Sequence, residues 1–192
     1  MRTSSVVRPA YPLETERLLL RPFADGDFDA LYAMHSRPDV ARYLYWGPRN
    51  EEEVRAALVK KVASSELNSE GDFIALAGVV KATDEVVGDF VLQWVSAEHQ
   101  QGEIGFLVHP DHQGRGYATE AGHLLLRLAF DGLKLHRVVG RLEARNAASA
   151  RVLEKLGMRR EAHLVENERV KGEWQSELVY AILEREWRRS DS

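Results

Sequence analysis

The spacing of apolar and polar positions changes several times along the chain, and each change marks an element. "ERLLLRPF" (Glu16 to Phe23) reads as a short first strand. In "DGDFDALYAMHS", Phe28, Leu31, Tyr32 and His35 recur at helical spacing, with Asp25 or Asp27 able to cap the helix. "DVARYLYWGP" carries a second short helix that stops at Gly47-Pro48. "NEEEVRAALVKKVAS" predicts a third helix. Asn50 is its cap, glutamates fill its first turn and lysines lie near its end, an order that suits the helix dipole.

Strand-like runs follow. "DFIALAGVVKA" and "EVVGDFVLQWV" flank Thr83-Asp84, a hairpin turn, and "GEIGFLV" runs into His109-Pro110. Helical spacing returns in "ATEAGHLLLRLAFDG", with Ala121, Leu124, Leu125 and Leu128 on one face. "HRVVGRLEA" is a strand. "NAASARVLEKLG" is a helix capped by Asn146, with Val152, Leu153 and Leu156 inward and Gly157 as its stop. "RREAHLVENERV" and "EWQSELVYAIL" form a strand pair around Lys171-Gly172. Hairpins and helical crossovers alternate, which predicts one α/β domain with a mixed sheet over residues 1–192. Residues 1–12 are expected to be a tail, and 13–183 the core.

Composition narrows the class. Apolar residues make up 44% and charged residues 29%, an ordinary globular balance. The absence of cysteine removes disulfides, thiolate metal sites and a cysteine nucleophile together, and it fits a cytoplasmic location. Net charge is −4 with Lys and Arg scattered among acidic neighbours, so no basic face for nucleic acid is expected. No apolar run approaches the roughly 18 residues of a membrane span, and the N-terminus lacks the apolar core of a secretory signal. The terminal "EREWRRSDS" is expected to be a solvated end.

The stretch with the most chemistry is "HPDHQGRGYATEA", His109 to Ala121, between a strand and a helix. Gly114 and Gly116 allow positive φ and expose backbone N–H groups, and the helix that follows adds its positive end. That combination predicts an anion cradle, although a plain glycine-rich turn has the same composition. Two phosphate motifs fail here. No Gly-Lys-Ser/Thr follows a four-residue spacer, and the third glycine of G-x-G-x-x-G is replaced by Thr119.

Gln113 to Ala118 does match Q/R-x-x-G-x-G/A, and so resembles the coenzyme A pyrophosphate loop of the GCN5-related N-acetyltransferase superfamily. "LHRV", "RNAASARVLEKLGM", "LETERLLLRPF" and "YLYWGP" stand in the order of its ribosomal-protein alanine acetyltransferase branch. The resemblance covers Leu13 to Leu183. It implies a mostly antiparallel twisted sheet of about six to seven strands, helices on both faces and a splayed central strand pair. It also implies acetyl-CoA as acyl donor, an amine as acceptor and a monomer or homodimer, with no nucleic-acid or membrane partner.

Carried over residue by residue, Phe106, Leu107 and Val108 would offer backbone groups to the pantetheine arm. Gln113, Gly114, Arg115, Gly116, Tyr117, Ala118 and Thr119 would surround the pyrophosphate, and Asn146 the pantetheine or sulfur end. Asn146 is equally a helix cap. Arg151 and Lys155, one turn apart, would approach the nucleotide phosphates or simply be a solvated face.

Acetyl transfer to an amine needs the neutral amine. At a pKa of about 7.7–8 an α-amino group is roughly a tenth neutral at pH 7, and lysine far less. A modest base, acting through a water, therefore suits an α-amino acceptor. Glu103 is the candidate base, and strand alternation places it on the face of Gly105 and Leu107. Many relatives carry a tyrosine acid directly before "EKxG", where this chain has Leu153. Ser149 then becomes the candidate partner of the sulfur. Tyr43, Tyr45 and Trp46 would line the acceptor pocket or staple their loop to the core. His109 and His112 lack a third ligand at a recognisable spacing, so no metal is expected. The expected acceptor is the α-amino terminus of a protein or peptide. The alternatives are a small amine (an antibiotic, a polyamine or an amino acid) and a non-catalytic acyl-CoA sensor.

Overall fold

The computed structural model describes residues 6–190. In chain order the elements are β1 (Leu13–Glu14), β2 (Leu18–Pro22), α1 (Phe28–His35), α2 (Pro38–Ala41), α3 (Glu51–Val62), β3 (Phe73–Val80), β4 (Val86–Ser96) and β5 (Gln101–Val108). Then come α4 (Tyr117–Arg127), β6 (Arg137–Glu143), α5 (Ala147–Lys155), β7 (Arg159–Val170), β8 (Glu173–Leu183) and α6 (Glu184–Ser190). Several ends follow from the local chemistry anticipated above. Asn50 and Glu53 exchange side-chain and backbone hydrogen bonds at 2.9 Å as a capping box for α3. Gly157, at φ +79°, lets Met158 N–H reach the Leu153 carbonyl at 3.0 Å and close α5.

The strands form one eight-stranded sheet in the order β1-β2-β3-β4-β5-β6-β8-β7, a fuller sheet than the expected six to seven. Each neighbouring pair is antiparallel except β5 with β6, which the α4 crossover makes parallel. That parallel ladder ends at Glu103↔Val139, while β5 runs on to Val108 and β6 to Glu143. Beyond Glu103 the two strands diverge, and the sheet has a central gap. The splay is thus present.

Two cores hold the helices to opposite faces. Ala75 and Ala77 pack with Phe23, Leu31, Met34 and Val54 beneath α1 and α3. Their strand neighbours Ile74 and Leu76 belong to the other core, with Phe90, Leu125 and Leu153 beneath α4 and α5. Fully buried side chains such as Leu125 and Phe90 each contribute about 1.5–3 kcal/mol by removal from water.

Three local expectations change. The described part of the chain end, to residue 190, is not wholly solvated: α6 buries Trp187 to 7% exposure, stacked on Phe130 at 5.3 Å, and Glu186 pairs with Arg159, while residues 191–192 lie outside the described residues. At the other end, Val7 bridges Leu67 and the Tyr11 hydroxyl donates to the Ser65 carbonyl at 2.8 Å, so part of the expected tail is docked. Residues 1–5 of that tail lie outside the described residues. Asp27 sits at the N-cap of α1, but its carboxylate is taken by Arg21 at 2.7 and 2.8 Å and by the Ala24 N–H at 2.8 Å. No helix among the described residues is long and apolar enough to cross a membrane.

Candidate active site

The gap between β5 and β6 opens into two cavities that share Tyr43, Leu44, Phe106, Asn146 and Ser149. One, of about 480 Å³, runs along the loop before α4. The other, of about 180 Å³, lies at the far side of the splay.

The loop cavity is built on backbone. Gly114 and Gly116 have φ of +74° and +84°, and Gly116 is the N-cap of α4. These left-handed conformations favour glycine, and both glycines line the groove with no side chain of their own over the backbone. A Cβ on Gly114 would meet nothing within 4 Å, so the groove is open above it. The loop is braced from behind. The Gln113 side-chain amide donates to the Val108 carbonyl at 3.0 Å, and Arg17 Nη1 donates to the Arg115 carbonyl at 2.9 Å. Arg17 also pairs with Glu120 at 2.8 Å and lies 4.9 Å from the centroid of the Tyr117 ring. Glu120 stands in the first turn of α4, where its charge would oppose an anion. Thr15 and Arg17 hydrogen-bond that carboxylate and hold it below the usual glutamate range in spite of burial. Sequence reasoning missed this brace, since Thr15 and Arg17 lie about a hundred residues away in chain order.

The site fits a pyrophosphate-bearing donor on two observations. The cradle is kept open by glycines at positive φ, and the buried His112 Nδ1, on a residue that lines the groove, has no hydrogen-bond partner among the described residues. His112 was given no role in the sequence. His109 instead accepts from the Asp111 N–H at 3.2 Å and closes the turn. Among the described residues no cluster of three potential metal ligands occurs.

The expected donor residues are placed unevenly. Phe106, Leu107, Val108, Gln113, Gly114, Gly116, Tyr117, Ala118 and Thr119 line the groove, as do Asn146, Arg151 and Lys155 across it on α5. Arg115 does not: its guanidinium turns back to the Asp111 carbonyl at 3.1 Å. Val108 differs as well, because the Gln113 amide already bonds its carbonyl. Tyr117 is a core residue, 8% exposed. Asn146 serves as cap, accepting from the Ser149 N–H at 3.1 Å, while lining both cavities. Leu153 is 2% exposed and packs over Gly140, so α5 presents no hydroxyl at that point.

The second cavity is built on side chains. Pairing places Glu103 opposite Gln93 and Gly105 opposite Val91, on the α1–α3 face, as alternation predicted. The register carries the same face across β6 and β8, where Arg141, Glu143 and Glu177 stand on it. Glu103 itself lines neither cavity; it is linked to the second one through Arg141, whose Nε lies 3.5 Å from Glu103 Oε2 and whose Nη1 lies 2.9 Å from Glu177 Oε1. Burial pushes the Glu103 carboxyl above the ordinary glutamate value. The Arg141 guanidinium opposes that push, and the Glu177 charge adds to it.

Of the three aromatics, Tyr43 and Tyr45 line the cavity and Trp46 does not. Trp46 is stapled elsewhere, with its ring 4.7 Å from His35 and the Arg49 guanidinium 4.0 Å above it. The Tyr45 hydroxyl donates to Glu177 Oε2 at 3.2 Å. Partial burial, Glu177 and Glu168 push its pKa up to about 12. Glu143, Glu168 and Glu177 were not singled out in the sequence. They lie in three strands whose alternation reads as ordinary edge polarity, and only the register brings them together.

Known proteins agree with this geometry. The acetyltransferase (GNAT) domain model matches residues 17–159. An uncharacterised N-acetyltransferase of Bacillus subtilis, YnaD, is 34% identical over 91% of this chain and 98% of its own. The crystal structure of a GNAT-family acetyltransferase from Bacillus anthracis superposes with a TM-score of 0.82 at 33% identity, over 91% of this chain and 99% of that one. A spermidine N-acetyltransferase from Vibrio cholerae, solved with CoA and spermine, shares the fold at 22% identity with a TM-score of 0.75, over 89% of this chain and 98% of that one. With a splayed parallel pair, a glycine cradle at the start of α4 and relatives matched over nearly their whole length, this chain belongs to the GNAT family of N-acetyltransferases.

Proposed function

We propose that the protein transfers the acetyl group of acetyl-CoA to a primary amine, with Glu103 accepting the ammonium proton through a water. The observation that carries this reading is the continuity of the two cavities through the β5–β6 gap. A donor seated on the glycine cradle would reach the carboxylate-lined side. Acetyl-CoA supplies an activated acetyl group on a thiol leaving group. The chain supplies the rest. Backbone of β5 beyond the splay orients the donor, and amides of Gly114 and Gly116 meet its pyrophosphate. A raised carboxyl makes Glu103 a better proton acceptor than an ordinary glutamate. Ser149, lining both cavities, would donate its hydroxyl hydrogen to the donor's sulfur as it leaves.

The acceptor reading from sequence resemblance is the α-amino terminus of a protein or peptide. A second reading, a small amine, is favoured by the modest volume of the carboxylate cavity, about 180 Å³, and by the carboxylates that line it. The test is thiol release from acetyl-CoA over pools of peptides with free or blocked N-termini and of small amines. Free amines should release thiol and blocked peptides should not. Tight acetyl-CoA binding without release over every pool would leave a sensor and overturn the transferase.

A further inference from the structure

The acceptor cavity contains more negative charge than one attacking amine requires. Glu143 and Glu177 are directly opposed across β6 and β8, on one face. Like charges in that position destabilise a sheet, and both carboxylates are buried, with side chains 5% and 8% exposed. Glu168, opposite Gln175, adds a third carboxylate two positions along β8 from Glu177.

Compensation inside the protein is incomplete. Glu177 is met on both oxygens, by Arg141 at 2.9 Å and by the Tyr45 hydroxyl at 3.2 Å. Glu143 is met on one. Its Oε1 accepts from Arg145 Nε at 2.9 Å, while its buried Oε2 has no hydrogen-bond partner among the described residues. A buried charged oxygen left unpaired keeps the full cost of its lost hydration. Folding alone gives no return for that cost, whereas a cation bound in the cavity would.

The walls bear on the size of that cation's carrier. β7 loses register between Leu164 and Glu168, with Glu166 at φ +48°, and the bulge carries Asn167 and Glu168 to the cavity. The hairpin is tied across to α2 by Lys171, whose ammonium donates to the Ala41 and Arg42 carbonyls at 2.7 and 3.2 Å. That tie fixes the hairpin carrying Asn167 and Glu168 relative to α2, and the cavity these residues line has a volume of about 180 Å³.

We infer that Glu143, with Glu177 and Glu168, forms a subsite for a second cationic group on the acceptor, which is accordingly an aliphatic diamine or polyamine. This rests on the transferase reading above and names its substrate class. One amine is acetylated at the splay while the other ammonium is paired at Glu143 Oε2.

The test uses 1,4-diaminobutane and butylamine, which differ by the second ammonium alone. Calorimetry on the full chain without acetyl-CoA reads the subsite directly. The diamine should bind at least tenfold more tightly than the monoamine, and Glu143→Gln should erase most of that difference. In turnover, the diamine-to-monoamine ratio of kcat/KM should fall at least tenfold in Glu143→Gln and less in Glu168→Gln. A near-wild-type melting temperature reports that each variant folds. Equal binding of the two amines by the wild type overturns the inference, as does a ratio indifferent to both substitutions. A diamine that binds as expected without thiol release removes the transferase reading and keeps the subsite. Faster turnover of peptides with lysine or arginine second than of any diamine overturns the small-acceptor assignment.

Discussion

The two halves of the cleft are built in opposite ways. The proposed donor half is made of main chain: two glycines, the N-terminus of α4 and a diverging strand, with side chains such as Gln113 and Arg17 holding the backbone from behind. The proposed acceptor half is made of side chains, with Glu143, Glu168 and Glu177 near Arg141 and Tyr45 and with Glu103 linked to them through Arg141. A backbone site tolerates varied side chains but no added Cβ, so it leaves a short pattern of glycines. A side-chain site requires particular residues at positions set by strand register, so its residues are scattered through the chain.

The largest expected effect strikes the donor half alone. Gly116→Glu puts a side chain at φ +84°, brings a Cβ within 3.3 Å of Arg17 Nη2 and sets a negative charge on the cradle. Acetyl-CoA affinity should fall about a hundredfold or more in calorimetry while the cooperative melt persists, the conformational cost being about 1–3 kcal/mol. Unchanged affinity would sink the cradle. Next comes the acceptor half. Glu103→Gln should lower kcat by about two orders of magnitude and spare acetyl-CoA affinity, since removal of a proton acceptor acts on the chemical step.

The same carboxylate sets a pH dependence. Because burial raises the Glu103 pKa, its proton acceptor is lost as pH falls through a value above the usual ~4.3. The acid limb of kcat/KM should therefore lie above that range and should disappear in Glu103→Gln. Arg141→Gln removes the cation that opposes the rise, so the limb should move to higher pH; a shift the other way would detach Arg141 from Glu103. For stability the sign is reversed: a raised carboxyl costs folding free energy once ionised, so Glu103→Gln should melt no lower than wild type at neutral pH.

The smallest effect tests the brace. Arg17→Ala removes a half-exposed ion pair with Glu120, typically worth about 1 kcal/mol or less, so acetyl-CoA affinity should weaken up to about fivefold. Acceptor KM should not change. If it does, the two halves are coupled more closely than their shared residues suggest.

Much of the fold was legible because its signals are local. Asn50 with Glu53, Asn146 with Gly157 and the positive-φ turn at Lys171 and Gly172 each act within a few residues, and the elements begin and end there. The glycine turn before α4 was legible for the same reason: it is one contiguous strand–loop–helix. Burial of Trp187 was not, since its partner Phe130 lies far off in the chain, in the helical turn that follows α4. Nor was the departure of Trp46 from the cleft, which depends on His35 and Arg49 enclosing its ring.

By itself, then, the sequence determined the elements, the mixed α/β class, the positive-φ glycine turn before α4 and the leucine at position 153, because periodicity, capping and glycine conformation act over a few residues. Tertiary structure alone decided where β5 and β6 part and which side chains gather beyond the gap. Those outcomes depend on the register of β5, β6, β8 and β7, and a one-residue slip would send Glu143 and Glu177 to the opposite face.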